Sequence, residues 1–211
     1  MKLSVLSTSF LSVVSAGGFL KGTHHVDTGA CPPVTTQAGF DVNVYASSKW
    51  YIHQQQSTQY LPAEQNFCVT ADYSVKDEKT ITGYTVGVTN YAEEQDGTVH
   101  STDSLCAGPE DANDPAKLQV APCFLPSFAA GPYWVLAYDE TEGYALVSGG
   151  QPDVETADGC TNGSGVNGSG LWIFTRTRER DDALVAKVRD MAKAQGFDLS
   201  VLADVDQTKC K

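Results

Sequence analysis

The sequence has few charged residues, and basic residues are the scarcer kind. Charged residues make up 19% of the 211 positions, and 14 Lys and Arg stand against 26 Asp and Glu, so the formal net charge is −12. This balance argues against nucleic acid or anionic membrane as a partner held by a basic face. Hydrophobic residues make up 41%, which argues against intrinsic disorder and allows one ordinary domain or two small ones.

Several motifs of catalytic and metal-binding proteins are also missing. No CxxC pair occurs, which rules out a zinc ribbon or a thioredoxin-type site on spacing. There is no HExxH pattern and no cysteine–histidine cluster, so we predict no metal site. GxSxG is absent, and the glycines at 163, 165, 168 and 170 precede a strand, the wrong context for a phosphate loop. We predict no catalytic residue and no cofactor.

No hydrophobic run is long enough to span a bilayer. The apolar run Leu3–Val14 follows Lys2 and ends in small residues, which is typical of a secretory signal cleaved after Ala16. The predicted organisation is a signal peptide (1–16), an N-terminal extension (17–30) and one domain (31–211). A secreted chain meets an oxidising compartment, where six cysteines most often form three disulfides. The residues alone leave fifteen pairings open.

Short strands dominate the body of the chain. In Phe67–Val75, apolar residues alternate with polar ones, which indicates a half-buried strand. Asp96-Gly97 is a tight-turn signal ahead of another strand. Because no helical pattern lies between the strands, the sheet should be antiparallel. The eight predicted strands are Trp50–Gln54, Phe67–Val75, Tyr84–Thr89, Thr98–Cys106, Lys117–Ala121, Tyr133–Tyr138, Tyr144–Ser148 and Leu171–Arg176.

One long helix is predicted after the strands, with Asp181 as N-cap and Gly196 at its C-terminal end. Its apolar stripe, which includes Leu184, Val188 and Met191, needs an apolar surface to cover. The late strands supply that surface, since they are apolar on both faces. We therefore predict an all-β fold: an eight-stranded antiparallel up-and-down barrel with the C-terminal helix packed outside. Such a barrel is wide enough to hold one small ligand.

Three segments carry a family resemblance by their order and spacing. They are Phe40–Tyr45 leading into Trp50, Gly131–Leu136 followed by Tyr144–Val147, and Leu171–Arg176. Together they resemble the three motifs of the lipocalin family, and specifically the branch of apolipoprotein D and the bacterial and plant lipocalins. The resemblance runs from about Cys31 to Cys210 and implies that 31–211 is a lipocalin domain.

The resemblance implies a secreted carrier that binds a small hydrophobic molecule, such as a fatty acid, sterol, retinoid, carotenoid or bilin. Expected ligand contacts, with plain core packing as the alternative for each, are Tyr73, Tyr133, Val135, Trp172 and Phe174. Trp50 and Arg176 should meet at the closed end, where a structural plug is favoured over ligand contact. Tyr60 and Leu61, in the first loop, are expected to contact a ligand or, transiently, a membrane surface.

The resemblance also suggests disulfides Cys31–Cys160 and Cys68–Cys210, which leaves Cys106 and Cys123 to bridge neighbouring strands. Asn162 and Asn167 begin N-glycosylation sequons in a predicted exposed loop. Two other functions remain open. One is a lipocalin-fold enzyme, of the isomerase or xanthophyll de-epoxidase type, with Asp72, Asp139 and Glu142 as the only acids to nominate. The other is an interaction module that uses the barrel mouth. The sequence leaves the oligomeric state undetermined.

Overall fold

A computed structural model describes residues 31–210 of the chain. The predicted signal peptide and the extension 17–30 lie outside the described residues. The strands are β1 Trp50–Gln56, β2 Phe67–Val75, β3 Val86–Glu93, β4 Val99–Asp111, β5 Asp114–Pro122, β6 Gly131–Asp139, β7 Tyr144–Ser148, β8 Val154–Thr156, β9 Gly159–Thr161, β10 Leu171–Thr175 and β11 Leu202–Asp204. The helices are α1 Val42–Tyr45 and α2 Asp182–Ala194, with 3₁₀ turns at Ala63–Gln65, Ser127–Ala129 and Leu199–Val201.

Eight strands form one closed antiparallel barrel. The strands β1 to β7 pair in chain order, β7 pairs with β10, and β10 returns to β1 with Ile52 opposite Phe174. These eight match the eight predicted segments, so the predicted barrel is confirmed. The short strand β11 adds to β1 beyond a bulge between Ile52 and Gln54, and β8 and β9 form a separate hairpin.

Helix α2 packs on the outside of the barrel, as predicted. The side chain of Asp181 accepts hydrogen bonds from the first-turn amides, and Gly196, at φ +87°, follows the helix in a conformation that favours glycine. The buried face of α2 covers the outward side chains of β7 and β10. The packed residues are Val185, Val188 and Ala192 of the helix with Tyr144, Leu146, Leu171 and Ile173 of the strands.

Three disulfides cross-link the described chain: Cys31–Cys160, Cys68–Cys210 and Cys106–Cys123. The first joins the start of the described chain to β9, and the second joins its end to β2. The third bridges β4 to the residue after β5. No free thiol remains, since all six cysteines are within these bonds.

His53 is a fully buried titratable group on the outer side of β1. Its Nε2 lies 3.1 Å from the carbonyl oxygen of Thr177, and its Nδ1 has no hydrogen-bond partner among the described residues. Burial lowers the pKa of His53, and neighbouring Arg180 lowers it further, against the opposing effects of the Thr177 carbonyl, Asp182 and Asp204. The folded protein therefore holds this imidazole in its neutral form.

We expect the stability of the protein to fall as the pH falls below about 6.5, the ordinary histidine pKa. In that range the unfolded chain binds a proton that folded His53 does not, so the loss approaches a limit of about 1.4 kcal/mol per pH unit. Urea unfolding between pH 7.5 and 5 measures the slope. His53→Gln should flatten the curve. An unchanged slope in His53→Gln would contradict the prediction.

Candidate functional site

The barrel encloses a cavity of about 500 Å³ in its interior. Its wall is mainly apolar and aromatic. It is formed by the inward side chains of strands that include β1 and β10, the two strands whose pairing closes the barrel. The wall includes Ile52, Val69, Ala71, Tyr73, Val88, Leu105, Val120, Tyr133, Trp172 and Phe174. Within residues 31–210, no Lys, Arg, Asp or Glu lines this cavity. The volume and the lining are those of a site for one small, largely apolar molecule.

Four of the five expected ligand contacts line the cavity: Tyr73, Tyr133, Trp172 and Phe174. Val135 is not among the residues that line the cavity. It is completely buried and belongs to the core cluster that also contains Trp50 and Phe40. Its carbonyl accepts a hydrogen bond from the amide of Gln37, so the N-terminal segment covers this part of β6.

Three tyrosine hydroxyl groups form a cluster at the deep end of the cavity, which Tyr73 and Tyr133 line and Tyr45 does not. The hydroxyl of Tyr133 lies 2.7 Å from that of Tyr45 and 2.7 Å from that of Tyr73. Tyr45 had no predicted role. Its place in the Phe40–Tyr45 motif was the only signal, because α1 breaks the alternation that identifies inward residues on strands. The Tyr45 ring packs against Phe40, Trp50 and Tyr73, and the Tyr73 ring packs against Tyr133, which fixes where the hydroxyls meet.

All three hydroxyls are held in the neutral form. Burial raises the pKa of Tyr73 to about 12 and raises the pKa values of Tyr45 and Tyr133 well above their ordinary range. The Arg176 guanidinium lowers the pKa of Tyr73 only weakly against this burial. The cluster is therefore a set of uncharged hydrogen-bonding groups rather than a source of phenolate.

Trp50 and Arg176 close the narrow end of the barrel. The Arg176 guanidinium carbon lies 3.6 Å from the centre of the Trp50 ring, and the indole donates a 3.0 Å hydrogen bond to the Tyr45 carbonyl. The guanidinium also donates to the carbonyls of Ser48 and Tyr45 and to the carboxylate of Glu140. Neither side chain lines the cavity, so the geometry is that of a plug.

The open end is covered by two loops that hydrogen-bond to each other. The mouth segment, residues 163–169, lies over the opening and meets the first loop, residues 57–66. The Tyr60 hydroxyl donates to the Ser169 carbonyl at 2.7 Å, and the Gln59 amide donates to the Ser164 carbonyl at 3.0 Å. Tyr60 and Leu61 both line the cavity near this end. The glycine-rich composition gave no periodicity from which this cover could be predicted.

The two sequons differ in their surroundings. The side-chain nitrogen of Asn162 is buried and donates to Ser148 Oγ and to the Gly170 carbonyl, each at 3.0 Å. Its oxygen accepts from the Gly170 amide, so the whole amide is engaged and leaves no room for a glycan. The expectation of an exposed Asn162 is therefore wrong. Asn167 is exposed on the mouth segment, and its nitrogen makes no hydrogen bond within the described chain.

We expect a glycan on Asn167 and none on Asn162 when the protein is secreted from a eukaryotic host. Asn167→Gln should remove the glycan. Asn162→Ala should leave it and should lower the free energy of unfolding by about 2–3 kcal/mol, because three buried hydrogen bonds are lost. Intact mass before and after enzymatic deglycosylation, with peptide mapping, measures occupancy. A glycan mapped to Asn162 in folded protein would contradict the prediction.

The three acids nominated for catalysis lie outside the cavity. Asp72 is half exposed and pairs with Lys49 at 3.1 Å, on the outer face of β2. Asp139 accepts from the Glu142 amide in a turn at the closed end, and Glu142 pairs with Lys187 of α2. Within residues 31–210, no group of His, Cys, Asp or Glu could hold a metal ion, and no helix is long and apolar enough to cross a membrane.

The closed antiparallel barrel, its plugged end and its enclosed cavity define an up-and-down barrel of the type that surrounds a small ligand. No model of a protein family matches the chain. Apolipoprotein D of Cavia porcellus is 30% identical over 183 residues, covering 86% of this chain and 85% of the relative, and apolipoprotein D of Oryctolagus cuniculus gives the same values. The chain belongs to the lipocalin family, in the branch of apolipoprotein D.

Solved structures show the same fold. Lobster apocrustacyanin A1 matches with a TM-score of 0.57 at 17% identity, over 87% of this chain and 94% of that one. Insecticyanin from the tobacco hornworm Manduca sexta matches with a TM-score of 0.59 at 18% identity, over 86% and 88%. At these identities the likeness concerns the architecture of the barrel and its outer helix.

Proposed function

We propose that this protein is a carrier that encloses one small hydrophobic molecule inside its barrel. The observation that carries the proposal is the cavity of about 500 Å³, with its apolar wall and no lining carboxylate, ammonium or guanidinium group among residues 31–210. Apolar ligand surface that leaves water there contributes about 25 cal/mol per Å² to binding. The kinship with apolipoprotein D, a protein named for its association with lipid, supports a lipid-like ligand.

We further propose that the carrier is secreted and performs no chemistry on its ligand. Three disulfides support an oxidising compartment. Every cysteine is paired, and the three nominated acids lie outside the cavity, which leaves no thiolate and none of those acids beside a bound molecule. His100, the one lining histidine, is paired with Glu94 at 2.7 Å. The hydrogen-bonding groups of the cavity then orient the ligand.

Native mass spectrometry of the secreted, non-reduced protein tests the proposal, followed by denaturing extraction of the bound molecule. We expect one apolar molecule per chain and a mass lower by six hydrogens than that of the reduced chain. An empty protein that also fails to bind apolar probes would overturn the carrier function. Turnover of an epoxide or prostanoid-like substrate would support the enzyme instead, and stable co-purification with a protein would support the interaction module.

A further inference from the structure

The three-tyrosine cluster contains one more hydrogen-bond donor than it can use. Tyr45, Tyr73 and Tyr133 bring three O–H groups, and the structure gives two hydrogen bonds between them, both at Tyr133. No hydrogen bond of good geometry joins Tyr45 to Tyr73, whose hydroxyls interact only weakly, and neither hydroxyl has a partner outside the cluster within residues 31–210. Two of the three protons therefore lie in well-formed O–H···O contacts, and the third has no well-placed acceptor among the described residues.

The third proton belongs on the cavity side. Tyr73 and Tyr133 line the cavity, whereas Tyr45 is enclosed by Phe40, Trp50 and Tyr138 and has no cavity face. An unsatisfied O–H among those rings is unfavourable, because a buried donor loses its hydrogen bond to water without replacing it. The favoured arrangements have Tyr45 donating to Tyr133, so that the free O–H belongs to Tyr73 or Tyr133 and points into the cavity.

A second uncharged group in the cavity wall also lacks a partner. Gln55 is completely buried, its Nε2 donates to Asn66 Oδ1 at 2.7 Å, and its Oε1 accepts no hydrogen bond from the described residues. Whichever way this amide is turned, one of its polar atoms is unpaired. Both orphaned groups are neutral, and no Lys or Arg of residues 31–210 lines the cavity to offset a buried anion.

From this donor count we infer that the ligand is an uncharged apolar molecule with an acceptor oxygen, a hydroxyl or a carbonyl, at the end that enters the barrel first. This inference rests on the proposed carrier function and narrows its ligand class. Tyr73 and Tyr133 supply the hydrogen bond to that oxygen. A carboxylate at the same place would be desolvated without a counterion, so fatty acids and acidic retinoids bind less tightly than their alcohols.

Three retinoids with one skeleton separate these effects: all-trans-retinol, retinoate and the hydrocarbon anhydroretinol. Their dissociation constants are measured by quenching of protein fluorescence, since Trp172 lines the cavity. We expect retinol to bind about five to ten times more tightly than anhydroretinol, because one net hydrogen bond contributes a factor of that size. We expect the affinity for retinol to exceed that for retinoate by at least the same factor.

The proton count predicts an unusual pattern in the variants. Tyr73→Phe or Tyr133→Phe alone leaves one free O–H on the cavity side, so each retains most of the preference for retinol. The double variant should bind retinol no better than anhydroretinol, with anhydroretinol affinity unchanged. Tyr45→Phe is the matched control. Removing the Tyr45 hydroxyl leaves two hydroxyls with one hydrogen bond between them, so one free donor still faces the cavity and the preference for retinol should remain.

The outcomes distinguish a failure of this inference from a failure of the proposed carrier function. Three results would overturn the inference without contradicting the carrier function. They are equal binding of the three retinoids, tighter binding of retinoate, and an undiminished preference for retinol in the double variant. Failure of the wild-type protein to bind any of the three would overturn the carrier function for this ligand size, and the inference with it.

Discussion

Replacing Trp50 with alanine is expected to lower the free energy of unfolding by about 3–5 kcal/mol, the usual cost of removing a buried aromatic side chain. Trp50 is fully buried, contacts the rings of Tyr45 and Phe174, and lies beneath the Arg176 guanidinium. Removing the indole leaves a cavity beneath the Arg176 guanidinium, which loses its apolar contact. Urea unfolding of the two proteins measures the difference directly.

Two further variants show that the cost comes from the plug and not from tryptophan as such. Trp50→Phe keeps an aromatic surface under Arg176 and should cost less than half as much. Trp134→Ala removes a partly exposed indole that bonds to Glu110, and we expect a loss of about 1–2 kcal/mol. A smaller loss in Trp50→Ala than in Trp134→Ala would contradict the assignment of the plug.

The barrel could be predicted because its strands alternate. On β2 the alternation puts the adjacent residues Tyr73 and Asp72 on opposite faces, and the structure has Tyr73 in the cavity wall and Asp72 paired with Lys49 outside. On β7 and β10 apolar residues on both faces predicted that something covers the outer side, and α2 covers it. These inferences depend only on the period of two, which the backbone of a strand imposes on its side chains.

The parts of the site that could not be predicted lie where that period is broken. A bulge after Ile52 shifts the parity of β1, so Gln55 lines the cavity while Gln54 bonds to Asp204 and Arg189 outside. Tyr45 lies on a four-residue helix and not on a strand.

Local composition also gave a wrong expectation at Asn162, where contacts between residues distant in sequence determine the burial of the side chain. Asn162 has the sequence of an exposed loop residue, but its amide links Ser148 to Gly170 in the protein interior. Gly170, at φ +112°, permits this path, and a Cβ there would lie 2.2 Å from the Trp172 ring. A glycine-rich segment therefore formed a fixed cover of the mouth, which no local pattern indicates.

Filling the cavity should have the largest effect on binding. Val88 lies in the middle of the wall, buried on β3, with its side chain in the cavity. In Val88→Trp the indole occupies space that a ligand needs. We expect the affinity for retinol to fall at least about 100-fold, because excluding about 150 Å² of apolar contact at 25 cal/mol per Å² removes about 4 kcal/mol.

The neighbouring residue provides the matched control. Thr89 is exposed on the outer face of the same strand, so Thr89→Trp adds the same side chain one position away without entering the barrel. Its retinol affinity and stability should match those of the wild type. Val88→Trp should stay folded, because its added atoms enter an empty space and do not overpack a filled core. Circular dichroism and urea unfolding check this point before binding is measured. If a folded Val88→Trp variant bound retinol as tightly as Thr89→Trp, the retinol would lie elsewhere, and the interior of the barrel would not be the ligand site.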